Sequence, residues 1–222
     1  MGFRHEWKFE INEADRLVLK ARLSALMYPD PHAKNNRYHV RSLYFDTPDD
    51  TAFFEKIDGV NRREKFRIRM YNDDPSFLRL EKKSKVNGLC QKVTAPLTKE
   101  ETARIIAGDI TFLRAAEHPL LRELYVKMRT QELRPKTIVE YTREPFVFPA
   151  GNVRVTIDGD LHTGVRSTDF LNPARPLAPA DAPPILEVKW DAFLPDIVRD
   201  AVGLESRRVG AFSKYATCRI YG

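Results

Sequence analysis

The residues best suited to chemistry lie in one stretch, KFRIRMYNDDPSFLRLEKKSK over 65–85, where charges recur at alternate positions. Side chains alternate across a strand, so Lys65, Arg67, Arg69 and Tyr71 share one face, and Phe66, Ile68 and Met70 the other. Beyond a turn expected at 72–76, the same parity sets Arg79, Glu81, Lys83 and Lys85 against Leu78, Leu80, Lys82 and Ser84. Such a hairpin gathers seven charges on one face, six of them cationic. Either that face is simply solvated or it binds anions.

Other segments repeat the pattern. Over 3–11, Arg4, Glu6, Lys8 and Glu10 alternate with Phe3, His5, Trp7, Phe9 and Ile11. Strands are also expected at 38–46, 88–95, 137–143, 153–158 and 185–190. In three of these, Tyr141 with Arg143, Arg154 with Asp158, and Glu187 with Lys189 share a face. Helices are expected after Asn12, from the Thr98/Glu101 capping box to Gly108, and from Pro119 to about 130. A short amphipathic piece follows at 52–57, and the chain after 195 reads as helical or mixed. Residues 167–184, with five prolines, read as an irregular loop.

Composition sets the bounds. The chain has 222 residues, is 42% hydrophobic and carries a net charge of +6, which suits one domain over 1–222 and anionic partners. With only Cys90 and Cys218, and no paired histidine spacing, a disulfide framework or structural zinc is not expected. His5 and His39 take the apolar parity and read as structural. No run approaches a membrane span, and the first residues, MGFRHEWKFE, lack a signal-peptide core. The expected location is therefore cytoplasmic.

At least five strands with one charged and one apolar face need helices over the apolar side. The expected fold is α+β: an antiparallel eight-stranded β-barrel with helices packed outside and charges inside. Such a barrel has room for one extended ligand. A lining of Lys8, Arg67, Arg69, Arg79, Lys83, Arg143, Arg154 and Lys189 requires hydration or compensating anions. Glu6, Glu81, Asp158 and Glu187 offset only part of that charge. The remainder points to a polyanion, with a divalent metal bridging phosphate oxygens. Nucleic acid is not expected, because aromatics are not interleaved with the cations as a base-stacking platform.

The ordered set R-x-E-x-K at 4–8, SLYFDT at 42–47, K-x-R-x-R at 65–69, L-x-L-E-x-K at 78–83, Y-x-R at 141–143, R-x-T-x-D at 154–158, LEVK at 186–189 and SKY at 213–215 resembles the VTC domain. This family comprises polyphosphate polymerases of the triphosphate tunnel metalloenzyme (CYTH-like) superfamily. The resemblance implies a tunnel in which the γ-phosphate of ATP moves onto a growing polyphosphate chain, with Mn or Mg as cofactor. By position, Lys8, Arg67, Arg69, Lys83, Arg143, Arg154, Lys189 and Lys214 form the phosphate-handling set. Glu6, Lys65, Arg79, Glu81, Tyr141, Ser213 and Tyr215 take supporting contacts to substrate. Glu187 is the implied metal ligand, with Asp158 beside it, and Lys214 closes the tunnel from a C-terminal helix. Hydrolysis of triphosphate or polyphosphate, and non-catalytic binding of polyphosphate, are the alternatives. Eukaryotic VTC proteins carry a phosphate-sensing domain and a membrane segment that have no counterpart in this sequence. Coupling to a membrane would then run through a separate membrane-protein partner at its inner face; the sequence does not fix an oligomeric state.

Overall fold

The alternating segments form strands because each must bury one face and expose the other. The computed structural model describes residues 4–87, 89–165, 167–204 and 207–220. In chain order these hold β1 (His5–Glu10), α1 (Glu13–Leu26), β2 (Tyr28–Pro29), β3 (Tyr38–Asp46), α2 (Thr51–Ile57), β4 (Arg62–Tyr71), β5 (Asp74–Val86) and β6 (Leu89–Leu97). There follow α3 (Lys99–Ala107), α4 (Pro119–Thr130), β7 (Arg134–Phe148), β8 (Val153–Thr163), β9 (Ala178–Pro179), β10 (Ile185–Trp190), α5 (Asp196–Val202) and α6 (Lys214–Ile220). Eight long strands pair antiparallel in the order β1-β10-β8-β7-β3-β4-β5-β6, while the two-residue strands β2 and β9 add to β7 and β8. The sheet curls into a half-barrel whose edge strands, β1 and β6, are not paired with each other among the described residues.

Local chemistry fixes the boundaries. The Asn12 side chain accepts from Asp15 N, and the Asp15 carboxylate accepts from Asn12 N, which starts α1; Thr98 and Glu101 do the same for α3. Gly108 ends α3 in the left-handed region at φ 83°. The β4–β5 turn is tighter than the expected 72–76. Asn72 and Asp73 both take positive φ, 51° and 57°, so two residues suffice and Tyr71 pairs with Asp74. Strand β6 runs on through Pro96, which a sheet edge tolerates because that residue need not donate to a second neighbour.

The outer face is covered in two parts. Phe66, Ile68, Leu78 and Leu80 pack with Ile105, Leu120 and Leu124 of α3 and α4. Val155, Ile157, Leu186 and Val188 pack with Leu19 and Leu23 of α1 and Val198 of α5. Burying such a side chain is worth roughly 1.5–3 kcal/mol, so apolar parity alone commits the charged parity to the interior. A third cluster lies on the inner face: Tyr44, Val139 and Tyr141 meet Tyr215 and Cys218 of α6. Thus α6 fills part of the concave side, and the charged site occupies the rest. Arg41 of β3, facing outward, is almost fully buried; it pairs with Glu140 and donates to the carbonyls of Asp169 and Asn172 at 3.1 and 3.0 Å. These bonds hold the proline-rich loop against the sheet.

Candidate functional site

Four carboxylates divide the cations of the inner face among themselves. Glu187 of β10 receives Lys8 at 3.0 Å, Lys189 at 2.8 Å, Lys214 at 3.4 Å and Arg143 at 3.5 Å. Asp158 of β8 takes Arg143 through two bonds of 2.7 Å and Lys214 at 2.6 Å. Glu81 of β5 takes Arg67 at 2.6 Å, Lys92 at 3.2 Å and Arg69 at 3.7 Å. Glu6 of β1 meets Lys83 at 3.2 Å and Lys189 at 3.3 Å. The Glu6–Lys83 pair spans from β1 to β5, across the side that sheet pairing leaves open.

Electrostatics show which partner wins. Burial would raise the Glu187 carboxyl, but Lys189, Lys8, Lys214 and Arg143 together hold it well below the ordinary range. Burial likewise opposes ionisation of Glu6, and Lys8, Lys189 and Lys83 still bring it to about 2. Glu81 is lowered against burial by Arg67, Arg69 and Lys92. Lys65 behaves in the opposite way: burial and the neighbouring Lys83, Arg67 and Lys8 push it well below its usual value. No ion pair of Lys65 occurs among the described residues. Nine basic side chains (Lys8, Lys65, Arg67, Arg69, Lys83, Lys92, Arg143, Lys189 and Lys214) therefore share this face with five carboxylates: the four above and Asp46, which Tyr215 and the backbone occupy. Two buried polar atoms on this face, Thr156 Oγ1 and Arg154 Nε, have no hydrogen-bond partner among the described residues.

The structure brings Glu6, Lys8, Lys65, Arg67, Arg69, Glu81, Lys83, Arg143, Glu187, Lys189 and Lys214 together on the inner face. Tyr141 accepts from Arg69 at 3.1 Å, and Tyr44 accepts from Arg67 at 2.7 Å, so both hydroxyls orient guanidinium groups. Other residues take different places. Arg154 turns to Asp30 at 2.9 Å, and Arg79 stacks over Phe77 with 4.5 Å to the ring centroid. The Ser213 hydroxyl accepts from Ala216 N at 3.4 Å within the first turn of α6. Tyr215, expected to contact substrate, instead donates to Asp46 at 2.5 Å and stacks on Tyr44; it anchors α6. Asp158, the second residue read as a metal ligand, lies on the same inner face and accepts from Arg143 through both oxygens and from Lys214 through one.

The sequence reading gave no role to Ser42, which accepts from Arg69 Nε at 3.1 Å, or to Asp46, whose carboxylate accepts from the backbone of Thr47, Ala52 and Phe53. Alternate spacing of Ser42, Tyr44 and Asp46 within SLYFDT was the available signal. Among the described residues, three metal-ligating side chains converge on the outer face: His39, Asp73 and Glu140. His39 Nδ1 lies 3.1 Å from Asp73, and Glu140 also pairs with Arg41. On the inner face Glu187 and Glu6 share Lys189 and Lys8. Magnesium-type ions commonly take one or two carboxylates and complete their shell with water and substrate phosphate. The donors present, with the unpartnered Thr156 hydroxyl beside them, fit a metal that binds together with phosphate.

The family described as VTC domain matches residues 3–220. No curated protein matches the chain. Among solved structures, a protein from Hippeastrum, named as an adenylyl cyclase and described as revealing a dominant triphosphatase activity, aligns with a TM-score of 0.56 at 13% identity, covering 99% of this chain and 96% of that one. The PH1012 protein from Pyrococcus horikoshii OT3 aligns with a TM-score of 0.51 at 14% identity, covering 95% and 96%. These likenesses establish the triphosphate tunnel fold.

Proposed function

Because the chain belongs to the VTC domain family, we propose that its inner face binds polyphosphate and the triphosphate of ATP, and transfers the γ-phosphate of ATP to the chain end with release of ADP. The observation that carries this reading is the excess of nine basic side chains over five carboxylates in a concave, half-buried face. Such a face is stable only when water or anions compensate it, and a linear polyanion does so along its length.

Phosphoryl transfer needs alignment and charge stabilisation rather than a covalent participant. The rigid forks of Arg67, Arg69 and Arg143, held by Glu81, Asp158 and the hydroxyls of Ser42, Tyr44, Tyr71 and Tyr141, suit non-bridging phosphate oxygens. Lys8, Lys83, Lys189 and Lys214 supply mobile point charges that exchange a carboxylate partner for phosphate. A Mn or Mg ion held by Glu187, with Glu6 as the second donor, would neutralise charge on the transferring group. Hydrolysis of triphosphate, with water as acceptor, is the second reading; the activity described for the Hippeastrum protein of the same fold supports it. Among the described residues no helix is long and apolar enough to cross a membrane. In this proposal the domain acts in the cytoplasm, and any delivery of chains across a membrane uses a separate partner.

The test is incubation with γ-labelled ATP and Mn or Mg. Labelled long chains with ADP are expected. Free phosphate without chains transfers the assignment to the hydrolase, and tight polyphosphate binding without turnover reduces it to a binding module.

A further inference from the structure

Beside the start of β4, beyond its last pair with β3 at Tyr44–Arg67, a cavity of about 600 Å³ opens between α2, β4 and the end of α4, lined by the outward-facing Phe66 and Leu133 and by the inward-facing Lys65 and Asp46. We propose that this cavity holds the nucleoside end of a nucleoside 5′-triphosphate whose phosphates pass Lys65 into the basic site. The proposal rests on the polyphosphate-transfer reading and adds where the donor's nucleoside lies.

Lys65 is the link. It lines the cavity, yet shares the charged face with Arg67: the two cations lie 5.7 and 5.6 Å from the centroid of the same Tyr44 ring. Lys65 stands just beyond the last β3–β4 pair, Tyr44–Arg67, so a ligand reaching from the cavity to the charged face through that gap runs beside it. The sign of the lining then reverses. Asp49, Glu55 and Glu132 line the cavity and make no side-chain ion pair or hydrogen bond among the described residues, whereas Lys127 is taken by Glu64 at 2.5 Å. The neighbouring Glu64 and Asp46 add to burial in raising the Glu55 carboxyl.

An anionic chain would be repelled from such a lining. A molecule spanning both regions must be anionic at one end and neutral, with hydrogen-bond donors, at the other. A nucleoside triphosphate has that polarity. Its vicinal diol donates to carboxylates, which can only accept, and its base can lie along Phe66, Pro48 and Leu133. The volume falls within the roughly 300–1,000 Å³ of small-molecule sites.

The experiment compares tripolyphosphate with the non-hydrolysable adenosine 5′-(β,γ-imido)triphosphate by titration calorimetry. Ala52→Trp fills the cavity from α2 and should weaken the nucleotide analogue by at least about tenfold, the loss of one hydrogen bond to a charged group or more, with tripolyphosphate unchanged. Glu55→Gln is the milder companion: the unaltered protein is expected to bind ATP more tightly than 2′,3′-dideoxy-ATP, and the substitution should shrink that advantage. If both variants leave nucleotide binding untouched while tripolyphosphate binds, the cavity assignment falls and the polyphosphate reading stands. If tripolyphosphate fails to bind the unaltered protein, both fall.

Discussion

Glu144 and Glu187 are both nearly fully buried carboxylates on strands of the same sheet, and they teach different things. Glu144 faces outward and takes Arg16 at 2.8 Å and Lys20 at 2.5 Å, both from α1, while Glu13 approaches Arg16 at 3.5 Å. Two cations meet two carboxylates, and the result pins a helix to the sheet. Glu187 faces inward and is crowded by four cations, in a face where cations exceed carboxylates throughout. Ion pairing closes the outer cluster; the inner one is left with an excess of positive charge.

The most severe way to probe this contrast is Glu187→Gln. It should lower metal-dependent turnover by about 100-fold or more, the scale of losing a pre-organised electrostatic group. It should also lower the melting temperature, because four cations lose a common partner, and added polyphosphate should recover much of that loss. An unchanged kcat would remove Glu187 from the site.

Glu144→Gln should cost about 3 kcal/mol, as expected for breaking a buried pair, measured by urea unfolding. Polyphosphate should not recover this loss, and turnover per folded molecule should be unchanged. Recovery by polyphosphate would erase the distinction between the two faces.

Acid provides a finer probe. Glu6 has a folded value of about 2 against an ordinary 4.5. Its contribution to stability is therefore complete above pH 4.5 and disappears as pH falls toward 2. Urea midpoints followed over that window should decline less steeply in Glu6→Gln, and equal slopes would show that Glu6 is not held low. The smallest effect is expected from His39→Gln on the outer face. Its pairs are partly exposed, so stability should change by less than about 1 kcal/mol. Polyphosphate affinity should stay the same; a weaker Kd would mean that the outer cluster communicates with the tunnel.

Much of the site was legible because strand parity is binary. Once Phe66, Ile68, Leu78 and Leu80 must meet helices, Arg67, Arg69, Glu81 and Lys83 have only the interior left. The same logic correctly paired Glu187 with Lys189. It failed where a side chain can reach several partners from one face. Arg154 has the inward parity, yet Asp30 from the loop after β2 claims it. Tyr215 lies within SKY beside Lys214, yet the two point to different partners, Asp46 and Asp158. Spacing along the chain carries no information about such choices, since Asp46 and Tyr215 are 169 positions apart.

The sequence by itself determined which residues face the core, where α1 and α3 begin, and that the inner face carries more positive than negative charge. All of these follow from local periodicity, capping chemistry and counting. The strand order, the Glu6–Lys83 bridge across the open side and the seating of α6 inside the curl were decided only by the tertiary structure. So were the acid-lined cavity at Lys65 and the buried Arg41–Glu140 pair beneath the proline-rich loop. Each depends on contacts between distant segments, where packing and charge complementarity select one partner among several that the local pattern permits.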